Sequence, residues 1–202
     1  MSSQRKTVER RNSSGLAIPK DHTVVKLFSG DCEITDKPKH VMVTILGSCI
    51  SACIRDAVAK VGGMNHFLLP NTPNEIASDS MEALRYGAYA MEQLINALLK
   101  AGAKRDRLEI KVFGGGNVLA SNMMIGDRNV HFIREYLRNE GLRIVSEDLG
   151  DKYPRRIHYY PDTGKVMMRK LHRKEDMKVV EEERNFAASL RNKPIEGGVD
   201  LF

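Results

Sequence analysis

The chain has 202 residues, 42% hydrophobic and 29% charged, which is the size and make-up of one globular domain with some decoration and excludes wholesale disorder. Its net charge is +6, with much of the excess in Arg5, Lys6, Arg10 and Arg11 and again in Arg169, Lys170, Arg173 and Lys174; no helix-turn-helix, zinc-finger or RNP-like pattern organises them and there is no Trp to stack on bases, so they read as solvated surface or a face for an acidic protein, not a nucleic-acid site. No apolar run reaches the roughly 18 residues of a membrane span, and the opening MSSQRKTVERRNSSG is basic with no apolar stretch behind it, which excludes a secretory signal and leads to the expectation of a cytoplasmic protein.

Residues 1–20 are polar and Ser/Arg/Asn-rich, too poor in apolar surface to offset the entropy of ordering, and read as a flexible leader. The domain is expected over 21–171. His40 to Leu46 (HVMVTIL) is rich in β-branched residues between Pro38 and Gly47, which predicts a strand ending in a tight turn. Cys49 to Ile54 is either a strand or a short helix, since so short a run has no decisive period. Lys60 to Leu69 reads as a turn at Gly62-Gly63 followed by a strand up to Pro70.

A helix is predicted from about Ser80 to Ala101, where Leu84, Ala88, Met91, Leu94, Ile95, Leu98 and Leu99 recur at helical steps, with Asp79 and Glu82 as a capping-box-like start and Gly102 at the stop. Leu108 to Phe113 reads as a strand broken by Gly114-Gly115-Gly116. A second helix runs from about Asp127 to Glu140, with Val130, Ile133 and Leu137 on one face. Leu142 to Ser146 is a further strand, and Arg156 to Tyr160 with Val166 to Leu171 form a hairpin around Asp162-Thr163-Gly164. Residues 172–202 are a charged extension in which Met177, Val180, Ala187 and Leu190 give one weak apolar face; the closing GGVDLF is a frayed end or a short docking segment. These elements make a mixed α and β fold.

Three cysteines, Cys32, Cys49 and Cys53, are too few for a disulfide framework and form no C-x-x-C pair. An ordinary thiol, with pKa about 8.5, is only a few per cent ionised at neutral pH, so thiol chemistry needs a local aid such as an imidazolium or converging amides. Cys49 is placed for it: after Leu46-Gly47-Ser48 the backbone turns, and amide hydrogens can gather at the sulfur and at an oxyanion beside it. Cys53 lies in an apolar run and Cys32 among the acids Asp31 and Glu33, so both read as inert. His66 is the best base for Cys49, although a His between Asn65 and Phe67 also reads as a core histidine. His22, His40, His131, His158 and His172 show no metal-ligand spacing, so neither metal nor cofactor is expected. Gly114-Gly115-Gly116-Asn117 lacks both phosphate-loop patterns and reads as a close backbone approach.

Thr44-Ile-Leu-Gly-Ser-Cys49, Gly62-Gly-Met-Asn-His66-Phe-Leu-Leu-Pro70, Phe113-Gly-Gly-Gly-Asn117, Ile125-Gly-Asp-Arg-Asn129 and Glu147-Asp-Leu-Gly150 with Thr163-Gly-Lys-Val166 stand in this order. Over about Val24 to Leu171 the chain thereby resembles the chemoreceptor glutamine deamidase family, CheD. It departs at Asp151, where members often carry Gly. The resemblance implies a layered α+β single domain, mixed β-sheets packed on two main helices, similar to the catalytic domains of bacterial glutamine-deamidating toxins. It implies Cys49 as nucleophile, His66 as base and Thr44 as third member of the triad, with Gly47, Ser48 and Asn65 expected to position substrate or oxyanion. It also implies methyl-accepting chemotaxis receptors as substrates and, for some members, the phosphatase CheC as partner.

On that reading a receptor glutamine becomes glutamate through a thioester. The basic residues Arg155, Arg156, Lys165, Arg169 and Lys170 on or near the hairpin are expected to form a rim that steers an acid-rich receptor helix. Two other functions remain open from the sequence: a non-catalytic chemotaxis adaptor, and another acyl-transfer cysteine enzyme such as a protease or transglutaminase.

Overall fold

The computed structural model describes residues 16–70, 81–118 and 123–172. Along the chain run β1 (Thr23–Lys26), β2 (Cys32–Thr35), β3 (His40–Leu46), β4 (Ile50–Asp56), β5 (Val61–Asn65), α1 (Met81–Lys100), β6 (Glu109–Gly114), α2 (Met123–Asn139), β7 (Ile144–Leu149), β8 (Arg155–Tyr160) and β9 (Lys165–Lys170). The strands form two sheets, ordered β1-β3-β8-β9 and β2-β5-β4-β6-β7. Both are mixed: β1 lies parallel to β3 and β6 parallel to β7, while the other neighbours are antiparallel.

Alternation along β4 explains the layering. Ile50, Ala52 and Ile54 pack with Met91, Leu94 and Leu98 of α1 and Phe132, Ile133 and Leu137 of α2. Cys49 and Cys53, just before and within the same strand, pack instead with Met42 and Leu46 of β3 and Ile157 and Tyr159 of β8. The five-stranded sheet is thus the middle layer, with the helices on one face and the four-stranded sheet on the other. Leu94 and Leu98 are fully buried, and each side chain so enclosed contributes about 1.5–3 kcal/mol. Among the described residues no helix is long and apolar enough to cross a membrane.

The mixed α+β architecture expected from the sequence is the one observed, with β3 at its predicted bounds and the β8–β9 hairpin and α1 within a residue or two of theirs. Four readings need correction. β1 and β2, four residues each, were not anticipated; their burial is slight, and a solvated edge strand carries little apolar pattern. α2 begins at Met123, ahead of Gly126, and β7 spans Ile144–Leu149, later than the Leu142 to Ser146 reading. Gly62-Gly63 is not a turn but lies inside β5: a Cβ at Gly63 would stand 2.5 Å from the Glu33 carbonyl oxygen and 2.8 Å from Leu94 Cδ1, so the pair lets β2 and α1 close on the strand. The leader over 1–15, the Asp79 cap and the extension beyond His172, including GGVDLF, lie outside the described residues.

Candidate active site

β4 and β5 pair with Cys53 opposite Met64 and Ile54 opposite Gly63. Beyond β5 the same register returns at Ile50 and Phe67, which exchange N–H···O bonds of 2.8 and 2.9 Å. Between these points the ladder opens. The Ala52 N–H donates to Asn65 Oδ1 (2.9 Å) and the Ser51 hydroxyl donates to the Asn65 carbonyl (2.6 Å), so side chains take over from the missing backbone bonds. This register sets Ser51 opposite His66 and puts Cys49 on the same face, diagonal to the imidazole across two adjacent strands, a separation that side chains of this kind can span. That face is the one turned toward the four-stranded sheet.

From the facing sheet, Thr44 of β3 points inward and is buried. Its Oγ1 donates to the Leu27 carbonyl (2.8 Å) and lies 2.8 Å from His66 Nδ1. The single hydroxyl proton is spent on Leu27, so Nδ1 is the donor in the second bond; the proton therefore sits on Nδ1 and the lone pair on Nε2. The His66 backbone is held as firmly, its N–H on the Asp31 carbonyl (2.9 Å) and its C=O on the Gly30 N–H (2.7 Å). Burial pushes the imidazole down to about 4, with the Leu27 carbonyl partly opposing it. Burial thus favours the uncharged ring, the form that can act as a base.

Cys49 is fully buried, and the turn before it is clamped from behind. The Gly47 carbonyl accepts from Gly116 N–H (2.7 Å), the Cys49 carbonyl from Gly115 N–H (2.8 Å) and the Ser48 carbonyl from Asn129 Nδ2 of α2 (2.9 Å). In trans peptides the N–H groups of Ser48 and Cys49 then point the opposite way from the first and third of these bonds' carbonyl partners in the same planes. Gly114 has φ of +116°, and a Cβ there would fall 2.0 Å from the Cys49 carbonyl oxygen. The glycine run is thus a close backbone approach to the cysteine turn. Asn129, fully buried, also accepts the Leu69 N–H at Oδ1 (3.1 Å), joining the turn before Cys49 and the segment after His66 to one helix; the motif around it was visible in the sequence, its clamping role was not.

The structure therefore brings Thr44, His66, Cys49, Gly47 and Ser48 together and separates Asn65 from them. Neighbouring strand residues face opposite ways, and the Asn65 carboxamide points to α1, donating to the Ala90 carbonyl (3.0 Å) and to Met91 Sδ (3.5 Å). Asn65 is a bolt between β5, β4 and α1, and its expected part in positioning substrate is withdrawn. Burial pushes the Cys53 thiol far up, and burial with Glu33 pushes Cys32 up to about 11, so neither ionises near neutrality. Among the described residues no group of His, Cys, Asp and Glu could hold a metal ion.

The expected basic rim is smaller than the sequence implied. Arg155 is fully buried, paired with the Asp148 carboxylate (2.5 Å) and bound to the carbonyls of Asp148 and Gly150. Lys170 is engaged by Asp151 (2.8 Å). Arg156 and Arg169 face one another across β8 and β9, and Lys165 is exposed at the hairpin.

A family model described as CheD chemotactic sensory transduction matches residues 68–170. A protein of Thiobacillus denitrificans named "Probable chemoreceptor glutamine deamidase CheD" is 47% identical over 184 residues, covering 90% of this chain and 91% of its own. One of the same name from Hydrogenovibrio crunogenus is 49% identical over 181 residues, covering 89% and 94%. Among solved structures, the Bacillus licheniformis hypothetical protein YfiH aligns over 63% of this chain and 60% of its own with 13% identity and a TM-score of 0.37, too slight a likeness to argue from. With nearly half of its residues shared along almost its whole length with such relatives, the chain belongs to the CheD family.

Proposed function

We propose that this chain is a chemoreceptor glutamine deamidase, a cysteine amidohydrolase that turns receptor glutamine side chains into glutamate. The observation that carries the reading is the Thr44–His66 bond across the two sheets, which sets the imidazole lone pair on Nε2 while Cys49 shares its face. As Cys49 Sγ attacks the carboxamide carbon, its proton passes to Nε2; charge develops on the carboxamide oxygen, beside the N–H groups of Ser48 and Cys49. The C–N bond breaks as the imidazolium returns that proton to nitrogen, releasing ammonia and leaving a thioester. Water then adds to the thioester with His66 taking its proton, the C–S bond breaks, and glutamate leaves with the thiol restored. Thr44 holds the ring's orientation and tautomer throughout. No step calls on a cofactor.

The substrate is a folded, acid-rich receptor helix, for which Arg156, Lys165 and Arg169 supply steering charge. The partners on this reading are methyl-accepting chemotaxis receptors, met in the cytoplasm, with the phosphatase CheC, a partner of some family members, as a second candidate. The test is mass spectrometry of a receptor cytoplasmic fragment after incubation. Wild type converts specific Gln to Glu, while Cys49→Ser and His66→Ala stay folded and convert none. Identical spectra for wild type and Cys49→Ala would leave an adaptor; cleaved peptides or incorporation of an added amine would turn the assignment to a protease or a transglutaminase.

A further inference from the structure

The segment between β1 and β2 touches every member of the proposed triad. Leu27 accepts the Thr44 hydroxyl, and Gly30 and Asp31 bracket the His66 backbone. Phe28 to Asp31 is a tight turn, closed by Asp31 N–H on the Phe28 carbonyl (3.0 Å) and by Phe28 N–H on Asp31 Oδ2 (2.7 Å), with Gly30 at φ +96°. At its tip, the Ser29 hydroxyl oxygen stands 3.9 Å from Cys49 Sγ.

We propose that Ser29 is a fourth catalytic residue, whose hydroxyl donates a hydrogen bond to the Cys49 sulfur and steadies it as a thiolate. The proposal rests on the reading of Cys49 as nucleophile. A thiolate can only accept, so once the sulfur has lost its proton the Ser29 O–H must be the donor. Serine keeps its own proton; the one leaving sulfur goes to His66. Cys49 and His66 are both buried, and a hydrogen bond to an anion is about twice as strong as one between neutral groups, so a hydroxyl donor matters most once the sulfur is negative. The 3.9 Å separation is at the long end for a sulfur bond, as resting catalytic contacts often are before they tighten around the reacting state. The turn is well suited to hold the group there, since its backbone is tied to the same histidine that receives the proton.

The experiment compares full-length wild type, Ser29→Ala and Ser29→Thr. Iodoacetamide labelling of Cys49 is followed by peptide-resolved mass spectrometry from about pH 6 to about 10, bracketing an ordinary thiol, alongside deamidation kinetics. In Ser29→Ala the labelling inflection is expected to rise by about one unit, tenfold less thiolate at a given pH. A more basic thiolate is also a better nucleophile, so labelling near neutrality slows by only about three- to fourfold. The deamidation kcat falls by a similar factor with KM unchanged, and Ser29→Thr, which keeps the hydroxyl, restores both. An unmoved inflection and an unchanged kcat in Ser29→Ala overturn the proposal, as does a shift that Ser29→Thr does not correct, which would assign the effect to packing. Should wild type form no glutamate, the deamidase reading falls while the labelling arm still decides whether Ser29 supports the sulfur.

Discussion

Replacing Thr44 by Val keeps the shape of the side chain and removes the oxygen on which the imidazole depends. In the folded protein that oxygen serves two buried groups, the Leu27 carbonyl and His66 Nδ1–H. Stranding a buried donor or acceptor costs about 1–3 kcal/mol each, so Thr44→Val is expected to lose about 2–6 kcal/mol of stability, read as a lower urea midpoint. The catalytic loss has a different origin. A hydrogen bond to a neutral partner contributes about 1 kcal/mol and one to a charged partner about 1.5–3; the ring becomes cationic only during reaction, so the increment lost from the transition state is about 0.5–2 kcal/mol. That corresponds to a fall in kcat of roughly two- to thirtyfold, with KM little changed, measured by glutamate formation on a receptor fragment under conditions where the variant is fully folded. Thr44→Ser retains the oxygen and should recover most of the rate. A Thr44→Val enzyme with wild-type kcat, or a Thr44→Ser enzyme as slow as Thr44→Val, would refute the assignment of the tautomer to this bond.

Acid should unfold the protein in a defined window. Burial depresses His66 to about 4, and burial with Arg156 depresses His158 to about 4, from an ordinary value of 6.5; both fold as neutral rings, so stability is complete above about 6.5 and is lost as pH falls toward 4. Each histidine costs at most about 3 kcal/mol over that window; urea midpoints at both ends measure the sum, and His158→Leu should shrink the drop. Asn129→Ala removes the partner of the Ser48 carbonyl and the Leu69 N–H, so a loss of about 2–6 kcal/mol and a slower turnover are expected by melting and kinetics; a variant as stable as wild type would remove the clamp. Asp151 holds φ of +68° where a glycine is at ease, while its carboxylate accepts from Lys152 N–H and Lys170. Asp151→Gly trades a backbone strain of about 1 kcal/mol against an exposed ion pair of similar or smaller value and should melt within a few degrees of wild type, whereas Asp151→Ala keeps the strain, loses the pair and melts lower.

Elements with clear boundaries or a helical repeat were the ones the sequence announced. β3 is a β-branched run between Pro38 and Gly47, the β8–β9 hairpin closes on turn residues, and α1 repeats Met91, Leu94, Ile95 and Leu98 on one side. β4 defeated periodicity because it is buried on both faces, so its apolar run has no polar phase to count. Arg155 shows the same limit from the other side: a cation in a sequence of basic residues reads as surface, and only the folded Asp148–Tyr153 loop supplies the carbonyls and carboxylate that let it be enclosed. At the site, Cys49 and His66 were legible as candidate nucleophile and base from the turn after β3 and from family resemblance. Ser29 was not, because β1, β2 and the turn between them leave little trace in composition, and Asn65 was misread because the break in the ladder that commits its carboxamide to Ala52 and α1 is a tertiary event.

The grip on the Gly47–Cys49 turn also has a timing. Its carbonyls are held by Gly115, Gly116 and Asn129, the last of them 81 residues further along the chain, and synthesis runs from the other end. A nascent chain halted before β6 carries the sulfur, the imidazole and the threonine, but lacks all three of the groups that hold these carbonyls. The turn is thus made early and fastened late.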